Sequence, residues 1–369
     1  MRDLFEIPED VAYLNCAYMA PQLRAVTRAG IEGVARKESP WQIGAEDFFA
    51  PAENLRSLFA SIIGGDADGV ALTPGVSYGA SVAAANLPVG RGRSVVVVEE
   101  QFPSNFYPWR ESVTRDGGEM RTVARPGVGG WTAAVLDRVD RSTAVVAVPL
   151  CHWTDGSRLD VAAIGEAARS VGAALVVDGS QGIGVVPFDV SVVQPDFVVT
   201  VGYKWLLGPY TSGYLWAAPH RRQGTPIEHG WMTREKAEDF ASLALYRDGY
   251  RDGARRYDMG EFGNFVAIPM LAAGIQQVQE WGLEAIASGI GKLTSRIAEV
   301  ARRRGFTVPD AETAAPHIIG LRMPGGAPDG LAAELGDRGI FVSVRGDSVR
   351  ISPHLYNTDE DVDRLLAAL

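Results

Sequence analysis

The stretch VVTVGYKWLLGPYTSGYLW, residues 198–216, contains one charged side chain, Lys204, inside an almost wholly apolar run. A buried ammonium is costly unless it is paired or gives up its proton. The chain uses lysine sparingly: Lys37, Lys204, Lys236 and Lys292 are its only four, and the other three stand among charged neighbours. The residues leading into Lys204, DFVVTVG (196–202), form a continuous β-branched run. SVVVVEE (94–100), TAVVAVPL (143–150) and AALVVDG (173–179) are of the same kind, and segments with helical apolar spacing, such as DVAAIGEAARSVG (160–172), lie between them. Continuous apolar strands alternating with helices predict an α/β fold with a mainly parallel central sheet covered on both faces. Ligands bind such sheets at the carboxyl ends of the strands, where Lys204 stands.

Farther out, FVAIPMLAAGIQQVQEWG from residue 265 reads as a long helix. HIIGLRMP, GIFVSVRG and SVRISPHLY follow as a strand-rich tail. The expected organisation is an arm over 1–20, a large domain over 21–265, and a smaller α+β domain over 266–369 packed with the amino-terminal segment. A net charge of −10 with no basic block argues against nucleic acid or an acidic membrane surface as partner. The start MRDLFEIPED has no apolar signal region, and no apolar run approaches a membrane span. Cys16 and Cys151 lack metal-type spacing and point to a reducing, cytoplasmic setting. The five scattered histidines form no ligand set, so no metal is expected.

Three strand ends carry polar or aromatic residues that make sense together. AALVVDGSQG ends with Asp178 and places Gln181 three residues on; DFVVTVGYK ends with Tyr203 and Lys204; EEQFPSNFYPW offers Phe102. A lysine, a carboxylate and an aromatic face at neighbouring strand ends suit pyridoxal phosphate chemistry. The amine forms a Schiff base, the carboxylate keeps the pyridine nitrogen protonated, and the ring stacks on the pyridine face. Desolvation would lower the lysine pKa and so answer the problem of the buried ammonium. GSQGIG (179–184) also has the look of a dinucleotide loop. Its glycines lie mid-chain, however, and no acidic residue stands about 20 positions on, which argues against a nicotinamide site.

With these residues in place, the chain resembles the class V group of fold-type I pyridoxal phosphate enzymes, which includes cysteine desulfurases, kynureninases and isopenicillin N epimerase-like proteins. VVDGSQGIG and VGYKWLLGPYTSGYLW carry the resemblance, with LTPGVSYGAS (72–81), EEQFPSNFYPW, RYDMGEFGNF (256–265) and VRISPHLYNTDEDVDRL (349–365) in the family's order. The resemblance implies that pyridoxal 5'-phosphate is held by Lys204, Asp178 and Gln181, with Phe102 as the stacking ring. Val76 and Ser77 at a helix start, with Tyr203, are expected at its phosphate. Trp231 and Asn264 are expected to reach the cofactor across a homodimer with shared sites. Glu261 stands where a threonine is more usual. Arg350 is expected to hold the carboxylate of an amino-acid substrate. Asn15 and Tyr18 of the arm, with His152 and Trp153, complete the expected substrate pocket, although Trp153 replaces a more usual asparagine.

The family shares its early chemistry, so the fold does not choose the reaction. Cysteine desulfurases that form a persulfide carry a cysteine in the loop before the final arginine motif. Here that loop is FVSVRGDSVRIS (341–352), which has none. The expected activity is a lyase eliminating or cleaving at Cβ, breaking a C–S or C–C bond. A transaminase or an amino-acid epimerase is the alternative, and a non-catalytic cofactor-binding sensor is a remote one.

Overall fold

The computed structural model describes residues 1–126, 130–323 and 325–369. In chain order, β1 (Ala12–Tyr13) precedes helices α1 (Arg24–Arg36) and α2 (Ala45–Ile62), followed by β2 (Val70–Thr73) and α3 (Val76–Asn86). Next come β3 (Ser94–Val98), α4 (Tyr107–Asp116), β4 (Glu119–Val123), α5 (Gly130–Leu136) and β5 (Thr143–Pro149). Then follow α6 (Val161–Ser170), β6 (Ala174–Asp178), α7 (Val190–Val193), β7 (Phe197–Val201) and β8 (Gly213–Ala217). The remainder comprises α8 (Ala267–Trp281), α9 (Leu283–Arg303), β9 (Ile319–Arg322), α10 (Leu331–Asp337), β10 (Ile340–Phe341), β11 (Ser343–Arg345), β12 (Ser348–Ile351) and α11 (Asp359–Ala368).

Seven strands form one sheet in the order β2-β8-β7-β6-β5-β3-β4. The strands β3 to β7 run parallel, and β8 alone opposes its neighbours β7 and β2. Every residue of β3, β6 and β7 is buried, which is why these strands read as continuous apolar runs. Alternate side chains feed two separate cores. Val96, Val98, Val146, Val148, Leu175 and Val177 pack with residues of α2, α6 and α8. On the other face Val95, Val97, Val145, Val176 and Val199 pack with α3 and α4 through Val82, Trp109 and Val113. This is the mainly parallel α/β sheet that the runs predict.

The strand-rich tail divides further than its apolar runs suggest, within GIFVSVRG. It breaks at Val342 into β10, which pairs with β1 of the arm, and β11, which pairs with β12. The apolar pattern is right, but two different partners compete for one segment. A three-stranded sheet, β11-β12-β9, results. Its core takes in Ala12 and Leu14 from the arm together with Ile297, Leu321, Val349 and Leu365. The arm continues past this sheet towards the strand ends: Cys16 N donates to Ser352 O at 2.9 Å, and Ala20 N donates to Tyr203 O at 3.1 Å.

Candidate active site

The carboxyl ends of β2, β5, β6 and β7 lie along one edge of the sheet and open into a cavity of about 260 Å³. Thr73 turns directly into α3. Pro149 ends β5, Asp178 ends β6, and Val201 leads into the turn that carries Tyr203 and Lys204. Asp178, Gln181, Tyr203 and Lys204 all line this cavity, as do Val76 and Ser77 of α3 and Phe102 and Trp153. Residues spread over 129 positions of sequence therefore meet because parallel strands end together.

Lys204 is 6 % exposed. Its Nζ lies 5.4 Å from the Phe102 ring centroid and 5.7 Å from that of Tyr203. Burial lowers its pKa to about 8; nearby Arg350 pushes the same way, and Asp178 opposes. Asp178 is also buried, which raises its pKa, while the Ser180 amide donating to Oδ1 at 2.9 Å favours the charged form. An amine whose pKa is lowered and a carboxylate thus line one buried cavity.

Gln181 is held at both ends: Nε2 donates to Ala17 O at 3.0 Å, and Oε1 accepts from Trp205 Nε1 at 3.0 Å. One N–H of the amide remains for another acceptor. At the start of α3 the N-cap is Gly75, which has no side chain to cap the helix, so the first amides face the cavity without a side-chain partner. The glycines of GSQGIG have a packing role. A Cβ on Gly182 would meet Leu150, and Gly184, at φ +102°, would bring one to 2.5 Å from the Trp205 carbonyl. They let the turn after β6 pass close to the turn that holds Lys204.

Other expected residues fall elsewhere. His152 does not face the cavity, which corrects its expected role. Its Nε2 lies 3.0 Å from Glu99 O, its Nδ1 lies 2.8 Å from Thr154 Oγ1, and its ring stacks on Trp131 at 5.0 Å. Pro149, Cys151 and Trp153 line the cavity, whereas the His152 ring is held away from it by Glu99, Thr154 and Trp131 as the chain turns after β5. Trp231 and Asn264 are not at the cavity within this chain. Trp231 packs against Phe48, Phe49 and Phe240 and donates to Glu261 Oε1 at 3.2 Å. Asn264 Oδ1 accepts from the amides of Val266 and Ala267 ahead of α8. Asn15 accepts from Ser343 Oγ at 2.8 Å and pins the arm to β11, whereas Tyr18 is exposed.

Arg350 lies at 2 % exposure, with Nη1 donating to Trp153 O at 2.9 Å. Burial pulls its pKa down to about 9, and Arg345 adds to the effect. The cavity also includes Ser104, Cys151, Tyr210 and Thr211, which the sequence reading did not select. Period-two alternation past β5 would have found Cys151. Thr211 sits at φ +61°, a strained position for a β-branched residue, and composition gives no sign of it.

With this geometry established, the comparisons fall into line. The family model described as Aminotransferase class-V matches residues 44–365. Isopenicillin N epimerase of Streptomyces clavuligerus is 29% identical over 334 residues, covering 85% of this chain and 82% of that protein. A probable cysteine desulfurase of Methanothermobacter thermautotrophicus is 27% identical, covering 96% and 93%. The solved structure of C-DES with glycine covalently linked to its PLP cofactor superposes with a TM-score of 0.89. That match spans 100% of this chain and 98% of the other at 17% identity, a likeness of fold.

Proposed function

The chain belongs to the class-V aminotransferase family of pyridoxal phosphate enzymes, and on that premise we propose that it is a lyase eliminating or cleaving at Cβ of an amino acid. The observation that carries the site assignment is the meeting of Lys204 and Asp178 at adjacent strand ends in one cavity. The residues there fit the cofactor. A Cβ built on Gly75 would meet nothing within 4 Å, which leaves a cradle beside the free amides of α3 for a phosphate.

When bound, pyridoxal phosphate supplies an aldehyde that condenses with amines and a ring that withdraws electrons from the substrate α-carbon. Asp178 holds a proton on the pyridine nitrogen, because a buried carboxylate is best satisfied by a cation. Lys204 would hold the cofactor through its amine, the one lysine amine on the cavity wall among the described residues. Its side chain, with its pKa lowered to about 8, then takes the proton from Cα. Phe102 would face the ring, Val76, Ser77 and Tyr203 would hold the phosphate, and the remaining N–H of Gln181 would serve an oxygen of the cofactor. Arg350 fixes the substrate carboxylate with its planar fork.

The described cavity wall includes one amine and no imidazole, since His152 is turned away. This supports Lys204 as the base at Cα. Burial pushes Cys151 to about 12 and raises Cys16 as well, so both stay neutral thiols, a poor setting for a persulfide carrier. Trp231 and Asn264 are assigned to the cofactor of the neighbouring chain in a homodimer. The setting we infer is cytoplasmic. Incubating the holoenzyme with an amino-acid panel and scoring pyruvate or alanine, keto acid and racemisation tests the reading. Keto acid with the amino group retained on the enzyme would establish a transaminase, and racemisation alone an epimerase.

A further inference from the structure

The hairpin β11–β12 places two guanidiniums on one face. Ser343 pairs with Arg350 and Arg345 pairs with Ser348, so Arg345 and Arg350 are diagonal neighbours pointing the same way. Both approach the Trp153 ring, Arg345 with Cζ 5.8 Å and Arg350 with Cζ 6.0 Å from its centroid. Trp153 in turn is part of the cavity wall around Lys204.

Two cations brought together in a half-dry site normally share a carboxylate. Among the described residues none serves here. Asp347, in the same hairpin, faces Arg322 at 3.5 Å, and Asp155 is taken by Arg125. The one hydrogen bond of the Arg345 side chain among the described residues goes to the carbonyl of Val344. Arg350 Nε is buried without a partner. The shared Trp153 ring offers each cation only a contact at the outer limit of cation–π distance. Two guanidiniums on one half-buried face repel each other, and a negative group between them relieves this.

We propose that Arg345 forms a second anion subsite beside Arg350, so that the substrate is an amino acid whose side chain carries a further acidic group, a carboxylate or sulfur oxyacid. This rests on the reading of Arg350 as the holder of the α-carboxylate. Arg350, deeply buried and tied to Trp153 O, is the fixed end. Arg345, half-buried, reads the variable end. Asn15 accepting from Ser343 Oγ holds the arm against the same face.

The test uses acids that lack an amino group and so cannot condense with the cofactor. The holoenzyme is titrated calorimetrically with succinate, glutarate and adipate, each against the monoacid of equal chain length. At least one diacid should bind tighter than its monoacid, on the order of tenfold, the scale of one charge-assisted fork. In Arg345→Gln that ratio should collapse towards one, and Arg345→Lys should restore part of it. A wild type without diacid preference, or binding neither acid, overturns the proposal. So does an Arg345→Gln variant that keeps the ratio, or weakens both acids equally, which would place Arg345 on the α-carboxylate. In parallel, aspartate against asparagine and glutamate against glutamine are compared as substrates. Should no amino acid turn over, the lyase reading fails while the calorimetric ratio still judges the arginine pair.

Discussion

Lys204 has no solvent to stabilise its charge, and that is what makes it useful. With its pKa lowered to about 8, the free amine in the apoprotein gains nucleophilic form two to three pH units earlier than a surface lysine. Competitive amine labelling of the apoprotein between pH 7 and 11, read by peptide mass spectrometry, should give a midpoint near 8 at Lys204. A midpoint above 10 would mean a solvated ammonium. The sign follows for stability too. Between about 8 and 10.5 the unfolded chain holds more protons on this residue, so apoprotein stability should rise with pH across that window. At Asp178 the expected effect is chemical and not structural. Asp178→Ala should fold and bind cofactor yet lose activity by at least ~100-fold, the scale of removing a proton-holding group. Near-normal turnover would sink that role. Arg350→Ala should lose roughly 2–4 kcal/mol in kcat/KM, as when one partner leaves a buried charge pair. The loss should appear for an α-amino acid and not for the matching amine without its carboxylate.

Single elements are held in register by a few buried polar anchors. Arg56 on α2 and Asp258, both fully buried, pair with Arg56 Nη2 2.7 Å from Oδ2. Asp258 Oδ1 also accepts from the Leu72 amide at 2.7 Å, so one carboxylate joins α2, β2 and the segment leading to α8. β2 runs directly into α3, whose amides are the proposed phosphate site. Removing one partner of such a pair leaves the other charge stranded. Asp258→Ala should therefore cost about 3–5 kcal/mol in denaturant unfolding, and Asp258→Asn less. A loss below ~1 kcal/mol would mean that water reaches Arg56 and that the anchor is weak. Gly184 acts similarly on the turn of Lys204. Alanine there would combine a left-handed φ with a clash on the Trp205 carbonyl, and of order 1–3 kcal/mol should be lost.

Over the whole molecule the amino-terminal arm, the strand-end turns and the carboxyl-terminal segment lock together around buried histidines. His317 Nε2 meets Gln181 O, its ring stands edge-on to Trp205 at 4.4 Å, and His354 stacks on Tyr356 at 5.7 Å. Burial lowers His317 to about 4 and His354 to about 3. Unfolding lets both rings take up protons below about 6.5. Stability should therefore fall as pH drops from about 6.5 towards 4, by several kcal/mol, and level off below the folded values. Thermal melts of the wild type and of His317→Gln across that range check this; a variant with the same slope would remove His317 as the cause. The proposed homodimer would have exposed apolar side chains to cover. Tyr246 is 98 % exposed, and Leu245, Trp41 and Tyr210 are largely exposed, with Tyr210 on the rim of the cavity. Sedimentation should give a dimer at assay concentration, and a fully active monomer would refute shared sites.

The strand runs, the order of the motifs and the residues at strand ends were legible in the sequence because each is local. A buried parallel strand must be apolar throughout, and its carboxyl end is where a polar residue such as Asp178 or the turn to Lys204 must follow. The same locality explains the misses. β8 went unread although Gly208 and Pro209 mark a turn ahead of it; what the sequence does not show is that Leu207 and Thr211 take positive φ within that turn. The splitting of GIFVSVRG depended on two strands from opposite ends of the chain. His152 turned away from the cavity because its ring packs on Trp131, a contact between segments distant in sequence. Most of all, Arg345 and Arg350 are five residues apart and look alike in sequence. Their convergence, with no carboxylate between them among the described residues, exists only once the hairpin closes and the arm folds over it.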